Sequence, residues 1–225
     1  MTCDQSLDFA THGAERFKSA AKSKLAALED ALAGLPQDEA GTRIHGFEPL
    51  KPFFADNGCI GAIATSILGK LARPVRAILF NKTHEINWSL AWHQDRTICV
   101  KAKYDVPGFG PWTTKRGLTH VEPPFELLGR MATLRVHLDD VTATNAPLVI
   151  APGSHVRGRI PVEEVAHIVD ICGTELCLAE AGDIWAYATP ILHASEAASK
   201  PSSRRVLQVD YAAEELPAAL DWLGV

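Results

Sequence analysis

Apolar side chains recur every three or four positions between residues 14 and 35. Phe17, Ala21, Leu25, Leu28, Leu32 and Leu35 keep that spacing, with Lys22, Lys24, Glu29 and Asp30 between them. The period predicts an amphipathic helix over 14–35, ended by Gly34 and Pro36. Ile60, Ile63, Ile67, Leu68 and Leu71 share a face in the same way. They predict a second helix over 57–71, capped by Asp56 or Asn57.

From Pro74 the texture becomes extended. Residues 75–80 read as a strand and 81–88 as a loop into a strand that ends at Trp92-His93-Gln94-Asp95; residues 98–103 continue extended. Residues 104–130 mix turn formers with large aromatics, as in Pro107-Gly108-Phe109-Gly110-Pro111-Trp112. A long irregular stretch with that many aromatics reads as a lid or a substrate-lining loop. Strands follow at 133–138 and 148–150, joined by a polar turn. A tight turn at Pro152-Gly153-Ser154-His155 precedes a short helix near 161–169. Further extended runs lie at 175–179, 184–187, 191–195 and 204–211, and the tail from Glu214 reads as a short helix.

Two helices followed by about eight short strands, without regular alternation, argue against a parallel α/β sheet. They point to a mainly β fold with flanking helices, a sandwich or jelly roll. The expected organisation is one domain over 1–225. Its helical part, 1–72, packs on the sheet, and its β core, 73–213, carries the insert loop 104–130.

Composition narrows the function classes. A net charge of −5 over 225 residues gives no electrostatic reason to expect nucleic acid or an anionic membrane as partner. The start, Met1-Thr2-Cys3-Asp4-Gln5, lacks the basic-then-apolar order of a secretion signal. No apolar run is long enough to span a bilayer. The expected setting is cytoplasmic and the expected partner a small molecule. The 5 cysteines are scattered, and the Cys172–Cys177 spacing is not that of a zinc pair, so they read as small apolar residues.

The candidate chemistry lies in His-x-acid triplets. With 9 histidines and 27 acidic residues in 225 positions, about one is expected by chance. There are three: His93-x-Asp95, His120-x-Glu122 and His137-x-Asp139. In an extended chain, residues two apart point to one side. His93 and Asp95 could therefore give a nitrogen and an oxygen to one metal ion, and a distant third ligand would complete a face of two histidines and a carboxylate. His120-x-Glu122 sits beside two prolines with no strand to hold it and is set aside.

Taken in order, Trp92-His93-Gln94-Asp95, Leu138-Asp139-Asp140, Pro152-Gly153-Ser154-His155-x-x-Gly158, Gly182-Asp183, His193-x-Ser195 and Arg204-Arg205 carry a resemblance. Over roughly residues 75–212 the chain resembles the phytanoyl-CoA dioxygenase family of iron(II)- and 2-oxoglutarate-dependent oxygenases. The resemblance implies a double-stranded β-helix, the cupin-like jelly roll. It implies His93, Asp95 and His193 as ligands of Fe(II), and Arg204 as the partner of the distal carboxylate of 2-oxoglutarate. It gives His137, Asp139, Asp140 and His155 no place on the metal. A guanidinium matches a carboxylate with two prongs. Strand alternation lets only one of Arg204 and Arg205 face the site. The implied reaction uses O2, converts 2-oxoglutarate to succinate and CO2, and hydroxylates a C–H bond of a small organic substrate. Relatives that halogenate have a small residue in place of Asp95, so the carboxylate favours hydroxylation.

Thr133 and Arg135 are further candidates for the cosubstrate. Lys82, Trp88, Phe109 and Trp112 are candidates for a substrate pocket, and Lys101, Lys103, Lys115 and Arg116 could meet an anionic substrate or form a solvated face. Two other readings stay open. One is a non-catalytic metal-binding jelly roll, which a missing ligand or arginine would indicate. The other is a metal-dependent jelly-roll enzyme that uses no 2-oxoglutarate and needs no equivalent of Arg204.

Overall fold

The computed structural model describes residues 6–36, 39–200, 202–217 and 219–225. A short helix α1 (Phe9–His12) leads into β1 (Ala14–Phe17), α2 (Leu25–Leu32), β2 (Gly41–Ile44), α3 (Lys51–Phe54) and α4 (Gly61–Leu68). Strands β3 (Arg73–Lys82), β4 (Leu90–His93), β5 (Ile98–Val100), β6 (Trp112–Lys115) and β7 (Leu118–Val121) follow, then α5 (Phe125–Leu128). The rest is β8 (Met131–His137), β9 (Leu148–Ile150), α6 (Val165–Cys172), β10 (Glu175–Cys177), β11 (Ile184–Ala188), β12 (His193–Ser195) and β13 (Arg204–Ala212).

A six-stranded sheet runs β1-β11-β8-β13-β3-β2, and a four-stranded sheet runs β10-β9-β12-β4. A three-stranded sheet, β5-β7-β6, adjoins them. All pairings are antiparallel. The architecture is mainly β, a jelly roll, one of the two folds that the strand texture pointed to and the one that the family resemblance implied. No helix of the described residues is long and apolar enough to cross a membrane.

Period-two alternation gives the large sheet two unlike faces. Ala77, Leu79, Leu134, Val136, Leu207 and Val209 point outward, where Leu28, Leu32, Leu50, Phe54, Ile60 and Ile63 from the N-terminal helices cover them. The alternate residues of β3 and β13, including Arg76, Lys82, Arg204 and Gln208, point inward. Toward one end the two sheets close on an apolar layer that includes Leu148, Ile150, Trp185, Tyr187 and Ile191.

Several elements differ from the sequence expectation. Residues 14–17 are a strand: β1 pairs with β11 along the sheet edge, Ala14 opposite Tyr187 and Phe17 opposite Ile184. Tertiary contacts override the helical spacing there. The Asp183 carboxylate accepts from the backbone N–H of Ser19 at 2.7 Å and from Arg16 Nε at 3.0 Å, and Ala21 N–H donates to Gly182 at 2.8 Å. The helix proper is only Leu25–Leu32. Because β1 and β2 form the two outer edges of the large sheet, the N-terminal part is not only helical.

The stretch 104–130 is not a bare loop. It holds the hairpin β6–β7, turned by Arg116 and Gly117 at positive φ, as a tight two-residue turn requires. Among the described residues the tail forms no helix; Trp222 bridges Val100 instead.

Leu134 is fully buried between the sheet and the helices. Leu134→Ala should cost about 3 kcal/mol in denaturant unfolding, through lost burial and the cavity left behind. A loss below about 1 kcal/mol would show that the helices do not seal this face.

Candidate active site

The pairing of β4 with β12 sets His93 directly opposite His193, with ring centroids 4.3 Å apart. Asp95 lies two residues beyond His93. One ligand atom from each of His93, Asp95 and His193 falls within 4.8 Å of the others. It is the one such cluster of three among the described residues.

The ring orientations are fixed by backbone. His93 Nδ1 is 2.8 Å from the Ala91 carbonyl, and His193 Nδ1 is 2.9 Å from the Ile191 carbonyl. A carbonyl only accepts, so each Nδ1 carries the proton and each Nε2 keeps its lone pair for a metal. Burial pushes the His193 imidazole down to about 4, outweighing the opposite pull of Asp95, which keeps the ring neutral.

Between the two ligands, Gln94 turns away from the site. Its amide nitrogen donates to Gly158 at 3.0 Å and Pro190 at 2.9 Å, and its oxygen accepts from Ile160 N–H at 2.9 Å. These bonds clamp the backbone that carries both flanking ligands.

Asp95 is aimed from behind. Arg76 Nη2 lies 3.2 Å from Asp95 Oδ2, and Arg76 Nε pairs with Asp210. Asp210 accepts in turn from Thr133 Oγ1 at 3.0 Å. Burial alone would raise the Asp95 carboxyl, but the Arg76 guanidinium beside it holds it below its ordinary value. Two neutral imidazoles and an ionised carboxylate suit a divalent iron and leave its other positions to the cavity.

That cavity, about 330 Å³, is lined by Lys82, Arg135 and Arg204 on one side. Arg204 is buried, and its Nε has no hydrogen-bond partner among the described residues. Burial, then Arg135, pushes the Arg204 guanidinium down to about 9. Lys82 Nζ donates to Ser195 Oγ at 3.2 Å and the Glu196 carbonyl at 2.9 Å, and lies 4.7 Å from the Trp88 ring centre. Burial, then Arg204 and Arg135, pushes it down to about 8. Arg135 donates to Gln208 at 2.8 Å. Three buried cations without an acidic partner among the described residues call for an anion. Arg205 faces the other way, onto Asp139 at 2.7 Å and Glu29 at 2.7 Å. The cavity is therefore suited to a dicarboxylate such as 2-oxoglutarate, with Arg204 its best-placed partner.

The sequence candidates divide accordingly. His93, Asp95, His193, Arg204, Arg135, Lys82 and Trp88 come together around the cavity. Thr133 does not line it, because its hydroxyl is tied to Asp210 and Thr189. Phe109 and Trp112 are also displaced: they pack with Val75, Val121 and Leu128 in a separate apolar cluster. His120, set aside for want of a strand, in fact sits in β7, buried, 3.0 Å from Cys99 Sγ. Asp140 accepts from the Ala181 N–H at 2.8 Å, a turn contact away from the site. Sequence reasoning missed Arg76, Asp210, Gln208 and Arg43. For the first three the signal was a charged or amide residue in phase with Lys82 or Arg204 on strands that otherwise read as core; Arg43, on the four-residue β2, had no such signal.

A ligand face open on one side, beside a cavity that calls for an anion, is what a non-haem iron, 2-oxoglutarate-dependent oxygenase requires. A model of the family "Phytanoyl-CoA dioxygenase (PhyH)" matches residues 19–206, and the chain belongs to that family. The match extends well upstream of residue 75, into the N-terminal helices. No curated protein matches the chain in sequence.

Among solved structures, HygX from Streptomyces hygroscopicus with nickel and 2-oxoglutarate bound is similar with a TM-score of 0.62 at 15% identity, over 93% of this chain and 89% of that one. EctD from S. alaskensis, in its apo form, gives 0.66 at 18% identity, over 100% and 84%. The non-heme alpha ketoglutarate dependent epimerase SnoN from nogalamycin biosynthesis gives 0.63 at 17%, over 91% and 77%. At these identities the likeness shows the shared fold.

Gln94→Ala should weaken divalent-metal binding about tenfold or more while the chain still folds, as titration with Ni(II) would report. Unchanged affinity would mean that the backbone holds the ligands without the amide clamp. A second prediction concerns His137, which points inward from β8 with neither ring nitrogen partnered among the described residues. Burial, with Arg135 and Arg204, pushes it from 6.5 down to about 3; Asp183 only partly opposes this. The unfolded chain takes up that proton near pH 6.5, whereas the folded chain refuses it. Stability is thus lost as pH falls through this window, by on the order of 1 kcal/mol per unit. His137→Leu should flatten the acid limb, and a limb parallel to the parent's would contradict the assignment.

Proposed function

We propose that the protein hydroxylates a C–H bond of a small organic substrate, with His93, Asp95 and His193 holding the iron and Arg204 anchoring 2-oxoglutarate. The observation that carries this is the meeting, in one cavity, of that ligand face with a buried Arg204 whose Nε has no partner among the described residues. When bound, iron and 2-oxoglutarate supply with O2 the oxidising chemistry, one oxygen atom going to the substrate and the other to succinate as CO2 leaves.

The chain's own residues position and insulate. Nδ1–H bonds to Ala91 and Ile191 aim the imidazoles, and Arg76 aims the Asp95 carboxylate. Arg204 supplies two-pronged recognition of a carboxylate, and Lys82 and Arg135 add positive charge beside it. Ile78, Phe80, Trp88, Leu90 and Leu148 form the apolar part of the wall, which limits water around the reacting groups. The reading of a non-catalytic jelly roll has no observation in its favour, since neither a ligand nor the arginine is missing.

Anaerobically prepared protein, supplied with Fe(II), 2-oxoglutarate, ascorbate and then air, should form succinate slowly even without its substrate. Arg204→Ala should raise the 2-oxoglutarate requirement on the order of 100-fold, the equivalent of about 3 kcal/mol for a charge-assisted pair. Asp95→Ala should abolish turnover. A parent protein that binds neither Fe(II) nor 2-oxoglutarate would overturn the assignment.

A further inference from the structure

The cavity holds more positive charge than metal ligation and a dicarboxylate use. Its lining includes Arg43, Arg76, Lys82, Lys115, Arg135 and Arg204, against the single carboxylate of Asp95. Arg76 is matched by Asp95 and Asp210. Lys82, Arg135 and Arg204 cluster on the side assigned to 2-oxoglutarate. Arg43 and Lys115 remain.

Arg43 makes no ion pair among the described residues, and its buried Nε has no partner. Burial, then the like charges of Arg116 and Arg76, pushes its guanidinium down, while Arg204 and Lys82 feel Arg135 instead. The two cation groups thus have different charged neighbours. Register agrees: Arg43 pairs with Ile78, which pairs with Gln208, whereas Arg204 pairs with Lys82 four residues along β3. At about 4.8 Å between strands and about 3.3 Å per residue, the two arginine backbones stand roughly 16 Å apart. Lys115 reaches the same side as the last residue of β6, next to the hairpin turn, while its neighbour Arg116 is taken up by Glu39.

We infer that Arg43 and Lys115 form a second anion subsite, on the Arg76–Asp95 side of the metal face, and that the substrate is a small organic anion. Its carboxylate or phosphate sits on these two cations, and its apolar body lies along Ile78 and Phe80, between that subsite and the 2-oxoglutarate side. This assignment deepens the function proposed above and rests on it.

The test uses protein loaded with Ni(II) and 2-oxoglutarate, titrated calorimetrically with butyrate, hexanoate and phenylacetate, with phenyl phosphate, and with the matching neutral amides. The anions should bind at least tenfold more tightly than the amides, and the ranking of carboxylates against phosphate names the headgroup. Arg43→Gln and Lys115→Gln should each erase most of that preference, and Arg43→Lys should restore part of it. If Arg43→Gln fails to fold, the exposed Lys115 carries the test. Equal binding of anions and amides, or a preference that survives both substitutions, would overturn the subsite. Failure of the parent to take up 2-oxoglutarate in the loading step would instead strike the proposed function, and the anion preference would still be read on the Ni(II) protein.

Discussion

Charge buried inside the jelly roll is the constraint that shapes this molecule. The inward face of the large sheet carries Arg76, Lys82, Arg135, Arg204 and Gln208, where a plain sandwich would carry its core. Taking such groups from water costs several kcal/mol each unless a partner compensates. Arg76 is compensated from within, by Asp95 and Asp210. Arg204 is not, and its free Nε and lowered affinity for the proton mark a place made for a ligand.

The outer face offsets this arrangement. Because the inside cannot be the main apolar core, Leu79, Leu134, Val136, Leu207 and Val209 turn outward and need cover, which the N-terminal helices provide. The closed end of the sandwich, around Trp185 and Tyr187, adds a second apolar layer. Stability and chemistry therefore occupy opposite faces of the same strands. One register ties them together: a slip of one residue in β13 would exchange Arg204 with Arg205 and turn Leu207 into the cavity.

What the sequence made legible follows from the same alternation. The strands bearing His93, His193 and Arg204 were readable because extended runs flank them, and family resemblance supplied their common destination. Arg205 could be assigned to the outer face by period alone, and its contacts with Asp139 and Glu29 lie there. Other features depended on contacts far along the chain. Ala14–Phe17 has the spacing of a helix, but it is drawn into the sheet by the free edge of β11 and by Asp183. Gly41–Ile44 is too short to carry a period and exists as a strand because β3 offers an edge. Phe109 and Trp112 looked like pocket aromatics, yet the hairpin β6–β7 commits them to a core of their own and lends the cavity only Lys115. Arg76 was hidden in an apolar run, where its partners Asp95 and Asp210 are 19 and 134 residues away.

The most direct test of the central claim is a crystal structure of the protein with Ni(II) and 2-oxoglutarate grown without oxygen turnover. The account predicts one ion held by Nε2 of His93, Nε2 of His193 and the Asp95 carboxylate, with the far carboxylate of 2-oxoglutarate on Arg204. An ion held by other residues, or a cosubstrate whose far carboxylate turns away from Arg204, would contradict it.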